Sequence, residues 1–443
     1  MYLNCHSYYS LRYGAMSEVD LLEYAQRMQV QSIALTDINN TSACLNFIRK
    51  AKTYNIKPLV GIDIRNDIQS CFVVIAKNND GFREMNDYLS AHLTQKKRFE
   101  LRAPSFENCF VIYPFEQALY HDIDDLAKNE FIGISLAEAQ KVGFSKFSKQ
   151  SDRLVILQTV SFRDKKDFNK HRLLRAIELN TLLSKLPEEQ QANPGDQMYT
   201  VEELYTRFKH LPYLIQNTSQ LIETCDVDFD FSEQRKSLNL QTYTGSIQKD
   251  RALLRKLSQE GIKYRYQNLN TQLKQRIEKE LELIEKKEFV SYFLINYDIV
   301  NYARQRGFHY VGRGSGANSV IAYLLRITDV DPVELDLYFE RFINLYRATP
   351  PDFDIDFSWR DRDQIIDYIH KRFANVCLLG TYVTFKQRAI LRELGKVFGL
   401  PKDEIDHLVR GLKPSYARAS QKRDQIHHLI FKYAQELNGR FHP

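Results

Sequence analysis

The run 351–357 reads Pro-Asp-Phe-Asp-Ile-Asp-Phe, and such strict alternation of acid and apolar residues suits one backbone geometry. In an extended strand successive side chains point to opposite faces. Asp352, Asp354 and Asp356 then share one face, while Phe353, Ile355 and Phe357 share the other and need a core to cover them. Three like charges on one face repel, so the arrangement asks for a positive partner, and hard divalent cations with oxygen ligands are the natural candidates. Two such ions roughly 3.5–4 Å apart, held by carboxylates, are the common arrangement for phosphoryl and nucleotidyl transfer. A solvated edge strand with a charged outer face is the alternative reading.

A second motif precedes this one. Residues 312–319 read Gly-Arg-Gly-Ser-Gly-Ala-Asn-Ser, follow a strand candidate at 308–311 and run into an apolar helix candidate that starts at Val320. A glycine-rich turn that opens a helix aims backbone N–H groups and the positive end of the helix dipole at one spot, which suits phosphate. Arg313 can add charge-assisted contacts, and a turn that merely caps a helix is the alternative. A phosphate cradle followed shortly by a carboxylate strand is what an enzyme acting on a triphosphate requires.

At ~100–200 residues per domain, 443 residues predict two to four units. The first part alternates short apolar runs, at 32–35 and 71–76, with helical stretches such as 18–28, which predicts repeated strand–helix units and a mainly parallel sheet or barrel. A polar loop is expected at 188–197, and the weak helical period of 225–245 places a domain boundary near there. Beyond it, Leu273, Ile277, Leu281 and Ile284 recur on one helix face, and a second helical pattern ends near Gly307. After Phe385 the chain again reads as helical, with breaks at 399–401 and 411–414.

No run approaches the ~18 apolar residues of a membrane span, and the N-terminus lacks the basic head and apolar stretch of a secretory signal, so a soluble, cytoplasmic protein is expected. Six cysteines scattered without a CxxC pair argue against a disulfide framework or a structural zinc site. The net charge of +6 is local: from Lys386 onward there are twelve Lys and Arg against six Asp and Glu, and the rest of the chain balances. A basic helical segment of this kind suits sequence-independent, salt-sensitive contact with nucleic-acid backbone, a solvated helix face being the plain alternative.

Five motifs in order carry a resemblance. Tyr-Phe-Leu-Ile at 292–295, Gly-Arg-Gly-Ser at 312–315, Ala-Tyr-Leu-Leu-Arg-Ile-Thr-Asp-Val-Asp-Pro at 322–332, Phe-Glu-Arg-Phe-Ile-Asn at 339–344 and the acidic run 351–357 closely resemble the palm of the bacterial C-family DNA polymerases, the DNA polymerase III alpha type. The resemblance implies a nucleotidyltransferase-like (polymerase-beta-like) palm over 229–385 and a helical thumb over 386–443. It assigns two catalytic, metal-binding carboxylates to Asp354 and Asp356, with Asp352 as a flanking acid, and two magnesium ions to the palm. Gly312, Arg313, Gly314 and Ser315 match the turn that holds the incoming triphosphate; Arg341 and Arg347 fall on basic positions facing phosphate or nucleotide, where a salt bridge to Glu340 or another acid is the ordinary alternative. Lys386, Arg388 and Arg392 lie in the segment leading into the thumb and are expected to meet DNA.

The opening resembles the PHP domain, a metal-dependent phosphoesterase barrel, through Tyr-Tyr-Ser at 8–10, Ala-Leu-Thr-Asp at 34–37 and Lys-Pro-Leu-Val-Gly at 57–61. The resemblance implies a distorted β/α barrel over 1–228, so the whole chain is expected to be α/β followed by α. The PHP metal ligands mostly do not match: the His-x-His start is Asn4 and His6, the histidine after Thr-Asp is Ile38, the Gly-x-Glu acid is Asp63, the late Asp-x-His pair is Thr159 and Ser161, and an aspartate of the first motif is Tyr13. His6, Asp37 and Asp63 are too few for three metals, so a metal-free structural platform is expected, with His92 and His171 as ordinary histidines.

The function implied is DNA-directed DNA synthesis in replication, transferring a nucleotide from a dNTP to a primer 3′-hydroxyl. Primer–template DNA and dNTPs are the implied partners, with the clamp and exonuclease subunits of the replisome in the full-length protein. The family's third catalytic aspartate returns from far downstream and has no counterpart in these residues, so the isolated chain is expected to be catalytically incomplete. A non-catalytic fragment that binds primer–template or replisome subunits is the alternative, and an active PHP phosphodiesterase is a third reading.

Overall fold

The structure, a computed structural model, describes residues 1–120, 125–232, 241–344, 346, 352–410 and 421–438. The chain divides into two compact units, Met1–Glu233 with Thr381–Pro443, and Gln234–Gly380. The segment 386–443, expected as a thumb of its own, is thus grouped with the N-terminal residues.

The first unit is built on eight strands: β1 (Tyr2–Cys5), β2 (Ser32–Leu35), β3 (Lys57–Asn66), β4 (Gln69–Ala76), β5 (Cys109–Pro114), β6 (Glu130–Ile134), β7 (Leu154–Ile156) and β8 (Thr159–Val160). They form one sheet in the order β7-β6-β5-β4-β3-β2-β1-β8, curled as a half-barrel. Pairing is parallel except where β4 meets β3 and β5. Two residues separate β3 from β4, with Asp67 at φ +56°, and so short a connection permits only antiparallel pairing. Both faces of the sheet are covered, which is why its strands read as apolar runs. Ala34, Leu59, Val73, Ile75 and Ile112 pack on one side, Ile33, Leu35, Val60, Ile62 and Val74 on the other.

Local signals set the helices around it. The helix Glu18–Arg27 starts at a capping box in which Ser17 accepts from the Asp20 N–H and the Asp20 side chain accepts in return; Thr200 and Glu203 do the same for Val201–Phe208. The helix Lys165–Glu178, capped by Asp164, carries Leu173, Leu174 and Ile177 into a separate core with Phe385, Ile390, Leu394 and Ile430. Those partners come from the C-terminal helices Gln387–Val397 and Gln421–Leu437, with Lys402–Val409 between them. The break expected at 399–401 is present, with Gly399 at φ +77°, and the one at 411–414 lies outside the described residues.

The second unit packs the helices Ile247–Arg265, Thr271–Lys286, Val290–Gln305 and the short Val320–Leu324 around a core that includes Leu254, Leu273, Ile277, Leu281, Ile284, Phe293 and Phe342. The four residues read as one face of a helix are all buried. Against this core lies a two-stranded antiparallel ribbon, β9 (Tyr310–Arg313) and β10 (Asp354–Phe357). β9 begins two residues later than its expected start because Phe308 is still occupied with the helix end. Gly307 takes φ +73° and the Phe308 N–H donates to the Ala303 carbonyl at 2.9 Å.

Five of the six cysteines are buried, Cys377 is exposed, and all are free thiols. Among the described residues no helix is long and apolar enough to cross a membrane.

Candidate functional site

In the ribbon, Asp354 stands opposite Arg313, Ile355 opposite Gly312, Asp356 opposite Val311 and Phe357 opposite Tyr310. One face therefore presents Asp354, Asp356 and Arg313 to solvent, with Asp352 exposed just ahead of the strand. The Arg313 guanidinium bridges both strand acids, donating from Nε to Asp356 Oδ2 at 2.6 Å and from Nη1 to Asp354 Oδ2 at 3.4 Å. The like charges are thus held together by a cation of the chain itself, as the alternation required.

The other face is anchored in the core. The Phe353 ring stacks on Tyr292 at 5.3 Å and meets Phe293 edge-on at 5.2 Å, and its backbone N–H donates to the Tyr292 hydroxyl at 2.9 Å. The glycine-rich segment then folds back over the strand as a 3₁₀ turn, Gly314–Asn318. Gly314 has φ +75°, and a Cβ there would lie 2.5 Å from Asp354 Oδ2; a Cβ on Gly316 would lie 2.5 Å from the Phe353 ring. The left-handed backbone favours glycine at 314, and at 316 the Phe353 ring fills the space a Cβ would need.

The helix that follows does not offer the free positive end expected of it. Ser319 caps Val320–Leu324, accepting from the Ala322 N–H, and the buried Glu280 carboxylate accepts from the Ser319 hydroxyl at 2.9 Å and the Ile321 N–H at 3.4 Å. The helix start is satisfied internally, so phosphate contacts from this motif would fall to Arg313 and the turn ahead of it. Burial lifts the Glu280 pKa to about 7 against the pull of Arg276, whose Nε donates to it at 2.6 Å. Neither Glu280 nor Arg276 was singled out by the sequence reading. The available signal was an acid placed among Ile277, Leu281 and Ile284 on an otherwise apolar helix face.

Arg341 is exposed at the end of the turn Phe339–Arg341, and the acid beside it, Glu340, pairs with Lys279 at 2.6 Å. Arg347 lies outside the described residues. In the first unit Lys386 is the residue before the helix Gln387–Val397, and Arg388 and Arg392 lie one turn apart on it. All three are exposed, and Arg392 also pairs with Asp406 at 3.3 Å.

The PHP-like positions converge in the first unit, and their oxygens are taken. Asp63 Oδ2 accepts from Arg65 Nε at 2.9 Å, Arg65 Nη2 at 2.6 Å and His6 Nε2 at 3.1 Å, while Oδ1 accepts from Ser70 at 2.8 Å. Burial would raise the Asp63 pKa, but Arg65 and His6 together outweigh it and hold the carboxylate well below its usual range. Burial lowers the His6 pKa against the pull of Asp63, and its other ring nitrogen faces the Ser161 hydroxyl at 3.0 Å. Asp37 accepts from the Ser7 N–H, the Ser7 hydroxyl and Ser10, and burial raises its pKa despite them. Among the described residues no group of three or more His, Cys, Asp or Glu side chains is placed to hold a metal ion. These donors do not fit a trinuclear centre. Arg65, two residues beyond Asp63 on β3, was missed by the sequence reading. His171 bonds the Tyr13 carbonyl and the Ala192 N–H, and burial lowers its pKa to about 4, as befits an ordinary core histidine.

Residues 252–439 match the family model described as the bacterial DNA polymerase III alpha NTPase domain, and residues 3–128 match the PHP domain. The chain is 31% identical over 470 residues to an error-prone DNA polymerase of Symbiobacterium thermophilum, covering 95% of this chain and 43% of that protein. It is 29% identical to the DNA polymerase III subunit alpha of Ureaplasma parvum, covering 94% and 41%, and 28% identical to that of Bacillus subtilis, covering 93% and 39%. The chain thus spans about two fifths of the length of these curated relatives.

Proposed function

Because this chain belongs to the bacterial DNA polymerase III alpha family, we propose that its second unit is the nucleotide- and metal-holding part of a DNA polymerase palm. The observation that carries the reading is the ribbon, in which Asp354 and Asp356 share one solvent-open face under a glycine turn and are already bridged by a cation. That donor set fits hard divalent ions: two carboxylates at strand spacing with the Arg313 guanidinium as the present stand-in. Magnesium, when bound, lowers the pKa of a primer 3′-hydroxyl and offsets charge on the phosphates.

The residues divide the remaining work. Asp354 and Asp356 hold the divalent ions, with Asp352 flanking them. Arg313 is placed to exchange its carboxylate partners for triphosphate oxygens, and the backbone of Gly312, Gly314 and Ser315 orients the same group, with Arg341 and Arg347 as further cations. In the reaction the primer oxygen bonds to the α-phosphorus of a dNTP, the bond to the β-phosphate oxygen breaks, and pyrophosphate leaves. Lys386, Arg388 and Arg392 contact primer–template backbone in the role of a thumb, 386–443. The PHP domain, 1–228, serves as a metal-free platform, and the full-length protein acts in the cytoplasm with clamp and exonuclease subunits.

The test is binding of dATP with magnesium to the purified chain, followed by primer extension on the same preparation. Magnesium-dependent binding that is lost in Asp354→Asn supports the palm reading; binding that is absent or indifferent to the substitution overturns it. Extension beyond that would show that local acids complete the catalytic set, and binding without extension would place the third carboxylate elsewhere. For DNA, the double substitution Lys386→Ala, Arg388→Ala should lower the slope of log affinity against log salt by about 2. An unchanged slope removes both residues from the interface.

A further inference from the structure

We propose that Arg276 and Glu280 are positioning residues for the triphosphate turn, fixing its C-terminal end from a single helix; the proposal rests on the palm reading above. Both side chains lie on Thr271–Lys286, one turn apart, and neither would touch substrate. Arg276 Nε donates to Glu280 Oε1 at 2.6 Å, while its Nη2 donates to the Asn318 carbonyl at 3.2 Å and the Leu337 carbonyl at 3.0 Å. Asn318 is the last residue of the 3₁₀ turn, and Leu337 leads into the segment that carries Arg341. The side-chain amide of Asn318 closes the bracket by donating to the Tyr338 carbonyl at 3.0 Å. On the other side Glu280, fully buried, takes the Ser319 hydroxyl and the Ile321 N–H.

The near flank of the same turn lies against the Asp354 carboxylate and the Phe353 ring, the latter filling the space a Cβ at Gly316 would need. The turn is therefore clamped between the carboxylate strand and the Arg276–Glu280 pair, and a shift at the second clamp moves the phosphate site relative to the metal-holding acids. Only a guanidinium does this work. Its planar fork serves three acceptors in different directions, whereas a lysine ammonium is a single point at the end of a flexible stem. The charged groups facing Glu280 are Arg276 on its own helix and the N-terminus of Val320–Leu324, and the neighbouring Lys279–Glu340 pair is satisfied within itself.

Arg276→Lys separates positioning from charge, because it keeps a cation for Glu280 and removes the fork that holds Asn318 and Leu337. The experiment measures binding of dATP and dAMP, each with magnesium, to the wild-type chain, Arg276→Lys and Glu280→Gln, with a melting curve for each. The expected result is about tenfold weaker dATP binding in Arg276→Lys with dAMP binding unchanged, since only the triphosphate needs the turn in register. A merely structural role would lower both affinities together with the melting temperature. If Arg276→Lys does not fold, the near-isosteric Glu280→Gln carries the same comparison. Equal dATP preference in wild type and variants overturns this inference and leaves the palm reading standing; failure of the wild type to bind dATP overturns both.

Discussion

Arg65→Met lowers the stability of the first unit by about 3–5 kcal/mol, the usual cost of removing one partner from a buried ion pair. Asp63 is fully buried and Arg65 is 8% exposed, so the carboxylate left behind would keep only His6, Ser70 and a long contact to Asn4. The measurement is urea denaturation followed by circular dichroism at neutral pH. The pH dependence gives the sign. In the wild type Asp63 has a depressed pKa, so its contribution is present above the ordinary carboxylate range and is lost as pH falls below that range toward the lowered pKa of the folded state. In Arg65→Met the buried carboxylate is costly when charged, so the gap between variant and wild type narrows in acid. Adding Asp63→Asn to the variant should recover much of the loss at neutral pH, since no buried charge then remains unpaired. A loss below about 1 kcal/mol for Arg65→Met would mean that the pair is not the structural centre of this pocket.

Asp354→Asn and Asp356→Asn each weaken magnesium-dependent dATP binding by about 100-fold or more while leaving stability nearly unchanged. The two effects separate because the side chains are 47% and 59% exposed, and an exposed ion pair with Arg313 is worth about 0–1 kcal/mol. A direct metal ligand counts for more, given that even the groups supporting such ligands change metal affinity by about 10–100-fold. Isothermal titration with magnesium and dATP, beside a melting curve, reads both quantities. Equal losses of binding and stability would instead mark the ribbon as a structural element.

The ribbon was legible because its period of two is imposed on every residue of a strand, and the glycine turn because Gly314 sits in left-handed backbone and Gly316 lies against the Phe353 ring. The helix Thr271–Lys286 was equally plain from Leu273, Ile277, Leu281 and Ile284. What escaped was the pairing of side chains far apart in sequence. Nothing local to Glu280 says that Ser319 will meet it, and the helix start at Val320 looked free for phosphate for the same reason. Arg65 was within reach, since strand parity puts it on the same side as Asp63, but an arginine in a family metal pocket reads as surface charge until its burial is known.

The core shared by Lys165–Glu178 and the C-terminal helices bears on how the chain is made. Leu173, Leu174 and Ile177 leave the ribosome roughly 200 residues before Phe385 and Ile390, a delay of about 10–40 s at ~5–20 residues per second. For that interval Lys165–Glu178 lacks its C-terminal partners, so this core is completed only after the last helices have been made.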